Sequence, residues 1–232
     1  MTKEKFIVLD VEGQSVCRPY NVGYIIADRY GKIYKRHSFA LPECFWENIK
    51  SAVETGICLD MAKKNIQEIL ADGQHKKRNR KYKSISINEF YNLLVKEIKR
   101  YKIRRLFAYN VTFDKSALNR LFGERFEDLV LEYCDIVTGI LYTKLLTKKY
   151  ITFCKENGYI TEKGNIQYKA EIVYRYLMGD FEFIEEHTGL ADTLNEYEIL
   201  LFVFRSHKMA KFEPCQAWRV LKNFCNEKDI EI

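Results

Sequence analysis

Residues 6–13 read FIVLDVEG, an apolar run that ends in two carboxylates, and the rest of the predicted fold is arranged around them. Side chains alternate across a β-strand, so Asp10 and Glu12 share one face and Val11 lies on the other. An apolar run with no polar face predicts a strand in the middle of a sheet, covered by helices. Two carboxylates at the end of such a strand stay ionised together only when a cation lies between them. The stretch therefore predicts a buried central strand with a cation site at its end.

Composition restricts the class of protein. The chain has 232 residues, 47% of them hydrophobic, which predicts one large domain with a full core. Its net charge of +6 is compatible with a polyanionic partner. Seven scattered cysteines form no Cys-x-x-Cys pair, which favours reduced thiols over a zinc site or a disulfide framework. No signal-peptide pattern and no long apolar run is present, so we expect a cytoplasmic protein without a membrane partner.

Strand and helix signals alternate after an initial meander. Strands are expected at residues 5–12, 22–27 and 32–41, the last two joined by a glycine-containing turn. Further strands are expected at 104–109 and 133–137. The pattern predicts an α/β fold whose mixed central sheet begins with a three-stranded antiparallel meander and is flanked by helices.

Helical periodicity and end signals place the helices between and after these strands. Ser86 and Glu89 have the spacing of a capping box, which predicts a helix start. A β-hairpin is expected at residues 159–168. The helices are expected at 61–71, 86–101, 113–122, 137–156, 169–178, from 192 onward and from 213 onward.

Two segments lie outside the main pattern. The main domain is expected to cover residues 1–205, with an insertion at 42–84, and a helical extension follows at 206–232. The insertion ends in a basic run, which is either a solvated loop or a segment that follows phosphates. The basic residues proposed as phosphate contacts are Lys76, Lys77, Arg78, Arg80 and Lys81.

Three fragments carry the residues suited to chemistry. The first is the Asp10–Glu12 pair, the second runs from Asn110 to Asp114 at a strand-to-helix junction, and the third is His187-x-x-x-x-Asp192 at a loop-to-helix junction. Each fragment alone has a plain structural explanation, such as a solvated pair, a first-turn helix charge or an N-cap. Together they supply four carboxylates and one imidazole at element ends, which suits a site for two cations.

These fragments resemble the motifs of the DEDD-type 3′–5′ exonucleases of the DnaQ-like group, in the DEDDh subgroup, whose general base is a His. The resemblance implies a ribonuclease H-like fold. It implies that Asp10, Glu12 and Asp192 hold one Mg²⁺ or Mn²⁺, that Asp10 and Asp114 serve a second ion, and that His187 takes a proton from the attacking water. The chain departs from the family pattern at Val11, Tyr109, Gly189 and Thr193, which bears on subfamily and substrate.

The resemblance therefore predicts a metal-dependent 3′–5′ exonuclease that hydrolyses phosphodiester bonds at the 3′ end of single-stranded DNA or RNA. Gly13, Gln14 and Asn110 are expected to contact the substrate, and a polymerase or another partner acting in trans is compatible with the chain. One alternative is a ribonuclease that trims RNA 3′ ends or short oligonucleotides. Another, from a different class, is a catalytically silent nucleic-acid-binding module on the same fold.

Overall fold

The computed structural model describes residues 3–13, 19–45, 50, 53, 59–72, 81–206 and 210–230. Within this part of the chain a six-stranded sheet has the order β4-β3-β2-β1-β5-β6. The sheet is mixed and helices cover it, so the predicted α/β class is confirmed. The strands are β1 Lys5–Glu12, β2 Asn21–Asp28, β3 Ile33–Ala40, β4 Lys83–Ser84, β5 Arg105–Ala108 and β6 Glu132–Asp135.

The described helices follow the predicted order. Ser86 caps the second of them as predicted: its side chain accepts a hydrogen bond from the Glu89 amide, and the Glu89 side chain accepts one from the Ser86 amide. The α-helices are α1 Leu59–Asp72, α2 Ile87–Tyr101, α3 Val111–Phe122, α4 Ile136–Ile140, α5 Lys148–Glu156, α6 Ala170–Met178, α7 Gly189–Phe204 and α8 Ala217–Glu227. Short 3₁₀ turns occupy Pro42–Cys44 and Gly123–Asp128.

Strand β1 lies in the middle of the sheet. It pairs antiparallel with β2 and parallel with β5, and β2 pairs antiparallel with β3. The predicted antiparallel meander is therefore confirmed. Ile7, Val8 and Leu9 are completely buried, because both faces of β1 are covered. Each such side chain contributes roughly 1.5–3 kcal/mol of burial energy.

Two hydrophobic clusters cover the two faces of the sheet. Val8 of β1 packs with Tyr197 and Leu200 of α7 on one face. Leu9 packs in the cluster that contains Leu94 of α2 and Leu118 of α3 on the other. Asp10 and Glu12 follow Val8 in the strand alternation, so they lie on the same side of the sheet as α7.

The C-terminal extension is part of this packing. Buried residues Ala217, Leu221 and Cys225 of α8 belong to the same cluster as α7. The backbone amide of Asp135, at the end of β6, donates to the carbonyl of Phe212 over 2.7 Å. The extension is thus attached to the sheet beside the carboxyl end of β6.

One predicted helix is wrong. The single helix expected at 137–156 is divided into α4, a π-type turn at Leu141–Leu145, and α5. Thr147 explains the division, because its side chain accepts a hydrogen bond from the Tyr150 amide over 3.2 Å and so begins a new helix. Short polar side chains compete with the helical backbone in this way.

Several element ends also differ from the prediction. The expected hairpin at 159–168 contains a single antiparallel bridge between Ile160 and Ile166. Helix α3 begins at Val111 rather than 113, because the Asp135 carboxylate accepts a hydrogen bond from the Val111 amide. Helix α7 begins at Gly189, before the predicted start, and α8 begins at Ala217, after the predicted start.

The described cysteines are distributed over several elements of the fold. The five described cysteines are thiols, and four of them are buried. Cys17 and Cys58 lie outside the described residues. Among the described helices, none has both the length and the apolar character needed to span a bilayer.

Candidate metal centre

The carboxyl end of β1 lies in a cleft of about 280 Å³. Asp10 and Glu12 line it from β1, and Asp114 lines it from α3. His187 lines it from the loop before α7, and Asp192 from the first turn of α7. The structure therefore brings together the four carboxylates and the imidazole that the three sequence fragments supply. Whether they have the roles that the resemblance assigns to them stays a prediction.

Helix α3 positions Asp114. The helix follows directly after β5, which is the parallel neighbour of β1. One carboxylate oxygen of Asp114 accepts a hydrogen bond from the backbone amide of Val11 over 3.2 Å, and the side chain is only 3% exposed. Val11 thus serves the site through its backbone, whereas its side chain is buried on the opposite face.

Two glycines position Asp192. Gly189 at the start of α7 lies against Gly23 of β2 so closely that a Cβ atom on either residue would overlap the backbone of the other. The Gly189 amide donates to Asn21 over 2.8 Å, and the Thr193 hydroxyl bonds the Gly23 carbonyl at 3.1 Å. This contact places the first turn of α7, which carries Asp192, beside the end of β1.

His187 has a left-handed backbone conformation, with φ of 53°. This conformation costs a non-glycine residue roughly 1–2 kcal/mol. The side chain lies at the edge of the cleft, is 45% exposed, and has its Nδ1 atom 4.0 Å from a carboxylate oxygen of Glu185. Strain of this kind often marks a functional position.

Sequence reasoning missed two acidic residues of the cleft. Glu196 of α7 is only 4% exposed and lines the cleft. It lies four residues after Asp192, so the helical repeat places both on one helix face, which is the signal that was available. Glu185 lines the same cleft.

Burial and mutual repulsion raise the pKa values of these carboxyls. Burial, opposed by the Val11 amide, raises the pKa of Asp114 to about 8. Burial and the charge of Glu185 raise the pKa of Asp192 to about 9. Burial and the neighbouring carboxylates also hold the pKa values of Asp10 and Glu196 well above their usual range. A bound cation would reverse this effect, because it favours the ionised forms.

The donor set fits a hard divalent cation. Buried oxygens of Asp10, Asp192 and Glu196 have no hydrogen-bond partner within the described residues. Potential ligand atoms of Glu12, His187 and Asp192 lie within 4.8 Å of one another. Carboxylate oxygens suit Mg²⁺ and Mn²⁺. Unpartnered buried oxygens that face one another are costly, and a cation would satisfy them.

The predicted substrate contacts are described only in part. Gly13 and Asn110 line the carboxylate cleft. Lys81 forms an ion pair with Glu186, next to His187, at 2.8 Å, so the end of the basic run lies near the site. Gln14, Lys76, Lys77, Arg78 and Arg80 lie outside the described residues.

Comparison with known proteins gives one distant likeness. No protein-family model matches the chain. A region of 126 residues, half of this chain, is 25% identical to the ribosomal RNA small subunit methyltransferase G of Mycoplasma capricolum subsp. capricolum. The match covers 53% of that protein, so the chain spans about half the length of the curated relative it matches.

This likeness contradicts the predicted activity. The relative is named a methyltransferase, an enzyme that transfers a methyl group, whereas an exonuclease is a hydrolase of phosphodiester bonds. The assignment as a 3′–5′ exonuclease, and the nuclease and hydrolase class with it, is corrected accordingly. The prediction was wrong because it rested on a resemblance carried by a few metal-ligand residues, and such residues specify a cation more directly than a reaction.

Proposed function

We propose that the protein binds RNA through divalent cations held in the carboxylate cleft. The observation that carries the proposal is the set of buried, unpartnered oxygens on Asp10, Asp192 and Glu196, which converge in one cleft. The likeness to an enzyme named for its action on ribosomal RNA supports RNA as the partner. The proposal corresponds to the alternative of a nucleic-acid-binding module given under the sequence analysis. It adds that binding requires a metal ion.

The ligands belong to three elements. Asp10 and Glu12 of β1, Asp114 of α3 and Asp192 of α7 would hold two Mg²⁺ or Mn²⁺ ions, with His187 at the edge. When bound, the ions supply the positive charge that attracts phosphate oxygens to an otherwise negative cleft. Glu196 lines the same cleft and is almost completely buried, so it adds a further carboxylate to the cluster.

We further propose that the fold is ribonuclease H-like and that the bound RNA is single-stranded, with its 3′ end at the cleft. The antiparallel meander followed by the parallel strands β5 and β6 supports the first point. The small volume of the carboxylate cleft, about 280 Å³, supports the second, because it suits a chain end better than a duplex. Blocking the RNA 3′ end with a bulky group tests this, and the block is expected to weaken binding.

The main test is the metal dependence of RNA binding. Fluorescence anisotropy of a labelled single-stranded RNA is measured with Mn²⁺ and with EDTA, for the wild type, Asp10→Asn and Glu162→Gln. Glu162 is an exposed carboxylate outside the cleft and serves as the control. Binding that requires Mn²⁺ and is lost in Asp10→Asn alone supports the proposal. Equal binding in EDTA, or equal binding by both variants, would contradict it.

Methyl transfer to RNA is a second candidate, and the match to the named methyltransferase is the observation that favours it. The sheet offers it no separate support, since doubly wound nucleotide-binding sheets are mostly parallel and β1 to β3 are antiparallel here. Transfer of a labelled methyl group from S-adenosylmethionine to ribosomal RNA tests it directly. Incorporation above that of a heat-denatured sample supports this candidate, and its absence with native protein argues against it.

A further inference from the structure

A second, larger cleft adjoins the carboxylate cleft. Its volume is about 630 Å³, within the usual range of small-molecule sites. The two clefts share Tyr109, Asn110, Ala170 and Glu185 in their walls. A ligand that reaches the carboxylates could therefore extend into the larger cleft without leaving the protein surface.

The larger cleft has the chemistry of a nucleobase site. Aromatic residues Tyr109, Tyr168 and Trp218 line it, together with Asn165 and Gln167, whose side chains carry amides. Bases that are not paired stack on aromatic rings, and their edges form hydrogen bonds with groups such as amides, which both donate and accept. The rest of the wall combines apolar residues such as Val137 and Ile166 with the charged residues Asp135, Lys169 and Glu185.

The C-terminal extension forms part of the wall of this cleft through Cys215, Ala217 and Trp218. The Tyr109 hydroxyl donates to the Tyr168 carbonyl over 2.6 Å, which links two of the aromatic residues of the wall. The Thr138 hydroxyl lies 3.4 Å from Cys215 Sγ, just before α8. Trp218 lies in the first turn of α8 and is 43% exposed, although the residue before it is buried. An exposed tryptophan at a cleft is available for stacking.

We propose that this cleft, named here the aromatic cleft, binds an unpaired nucleobase of single-stranded RNA, with Trp218 as a stacking platform. The inference rests on the proposed function, because the adjoining phosphate would lie towards the carboxylate cleft. It gives the extension a role in recognition: α8 completes the wall of the cleft. RNA, DNA and adenosine-containing cofactors all contain a nucleoside, and the third experiment below distinguishes between these ligands.

The first experiment measures affinity for a single-stranded RNA hexamer with Mn²⁺ present. Stacking on an aromatic side chain contributes about 1–3 kcal/mol per base, so Trp218→Ala is expected to weaken binding roughly 5- to 150-fold. Trp218→Phe keeps an aromatic ring and is expected to restore most of the affinity. Tyr30→Ala removes an exposed aromatic residue in the β2–β3 turn and serves as the control with no expected change. Equal affinity of Trp218→Ala and wild type overturns the proposal.

The second experiment separates this inference from the metal proposal. In a Trp46→Phe background Trp218 is the only tryptophan, and its fluorescence is followed in EDTA with adenosine, uridine and ribose 5-phosphate. Saturable quenching of the Trp218 fluorescence by adenosine or uridine, without quenching by ribose 5-phosphate, supports base binding in the aromatic cleft even if no metal binds. No quenching by the nucleosides overturns it even if metal binding is confirmed.

The third experiment identifies the source of the base. An RNA hexamer, a DNA hexamer of the same sequence and S-adenosylhomocysteine are compared in the same assay. Tighter binding of the RNA hexamer supports the proposal. Tighter binding of DNA, or binding of S-adenosylhomocysteine without either oligonucleotide, overturns RNA as the occupant. Retention of the wild-type circular dichroism spectrum and melting temperature by each variant ensures that a loss of binding reports on the cleft.

Discussion

At the residue scale, the buried carboxyls determine how the stability of the metal-free protein depends on pH. Burial raises the pKa of Asp114 to about 8 and that of Asp192 to about 9, whereas unfolded aspartate titrates near pH ~4. Between these values the folded state holds protons that the unfolded state has lost. The free energy of unfolding in EDTA is therefore expected to fall as pH rises from 5 to 8, by at most about 1.4 kcal/mol per pH unit for each group.

Urea unfolding at pH 5, 6, 7 and 8 measures this slope. Asp114→Asn is expected to reduce it, because the amide does not titrate, while Glu162→Gln leaves it unchanged. Added Mn²⁺ is expected to remove the loss at high pH, because the cation favours the ionised carboxyls that it binds. Stability that rises with pH in EDTA would mean that the carboxyls are ionised in the folded protein without a metal.

His187 supplies a second residue-scale prediction. Its left-handed backbone favours glycine over alanine, although both substitutions remove the imidazole. The free energy of unfolding of His187→Gly is expected to exceed that of His187→Ala by about 1 kcal/mol. Thermal or urea unfolding of the pair measures the difference. If His187→Ala is equally stable, the loop does not hold residue 187 in the left-handed conformation.

Some site residues could be predicted because they stand out in the local sequence, whereas others are recognised only from the tertiary packing. Asp10 and Glu12 could be recognised because they interrupt an apolar strand, and Asp192 because it follows a histidine at a characteristic spacing. Glu196 and Glu185 could not be recognised in the same way, because a glutamate in a helix or a loop is usually solvated. Only the packing of α7 against β1 shows that Glu196 is buried in the cluster.

At the element scale, the contact between β2 and α7 determines whether the site assembles. Gly189→Ala introduces a methyl group where the backbone of Gly23 lies, so α7 has to move away from the sheet. Overpacking of this kind typically costs about 1–3 kcal/mol, and the displacement also moves Asp192. We expect Gly189→Ala to lower both the free energy of unfolding and the affinity for Mn²⁺.

The control for this prediction is Gly158→Asn. Gly158 also has a conformation that favours glycine, but a Cβ atom there meets no neighbouring atom, and asparagine tolerates a positive φ. Its unfolding and Mn²⁺ affinity are expected to stay near those of the wild type. A Gly189→Ala protein that binds Mn²⁺ as tightly as the control shows that the close approach is not needed for the site.

Local signals explain which elements were predictable. The capping box at Ser86 and the left-handed glycine after α6 are local, so the ends of α2 and α6 could be predicted closely. The start of α3 depends instead on the Asp135 carboxylate, which is distant in sequence from Val111. The break before α5 was also missed, because the apolar pattern continues through it and only Thr147 indicates a new start.

At the scale of the whole molecule, the sheet order results from the central position of β1. The sequence shows that residues 6–9 have no polar face, which indicates a central strand. The strand and helix signals after it also follow the sequence, so the α/β class and the meander were predicted correctly. The joining of α8 to the core was not predicted, because its amphipathic pattern does not specify which surface it covers. The assignment of residues 206–232 as a separate extension stays a prediction.

The whole-molecule claim is that the fold brings carboxylates from β1, α3 and α7 together to hold divalent cations. Calorimetric titration of Mn²⁺ into the metal-free protein tests this most directly, with Asp192→Asn and Glu162→Gln titrated in parallel. We expect saturable binding by the wild type and Glu162→Gln, and an affinity at least about tenfold weaker for Asp192→Asn. No saturable binding by the wild type, or equal binding by Asp192→Asn, would contradict it.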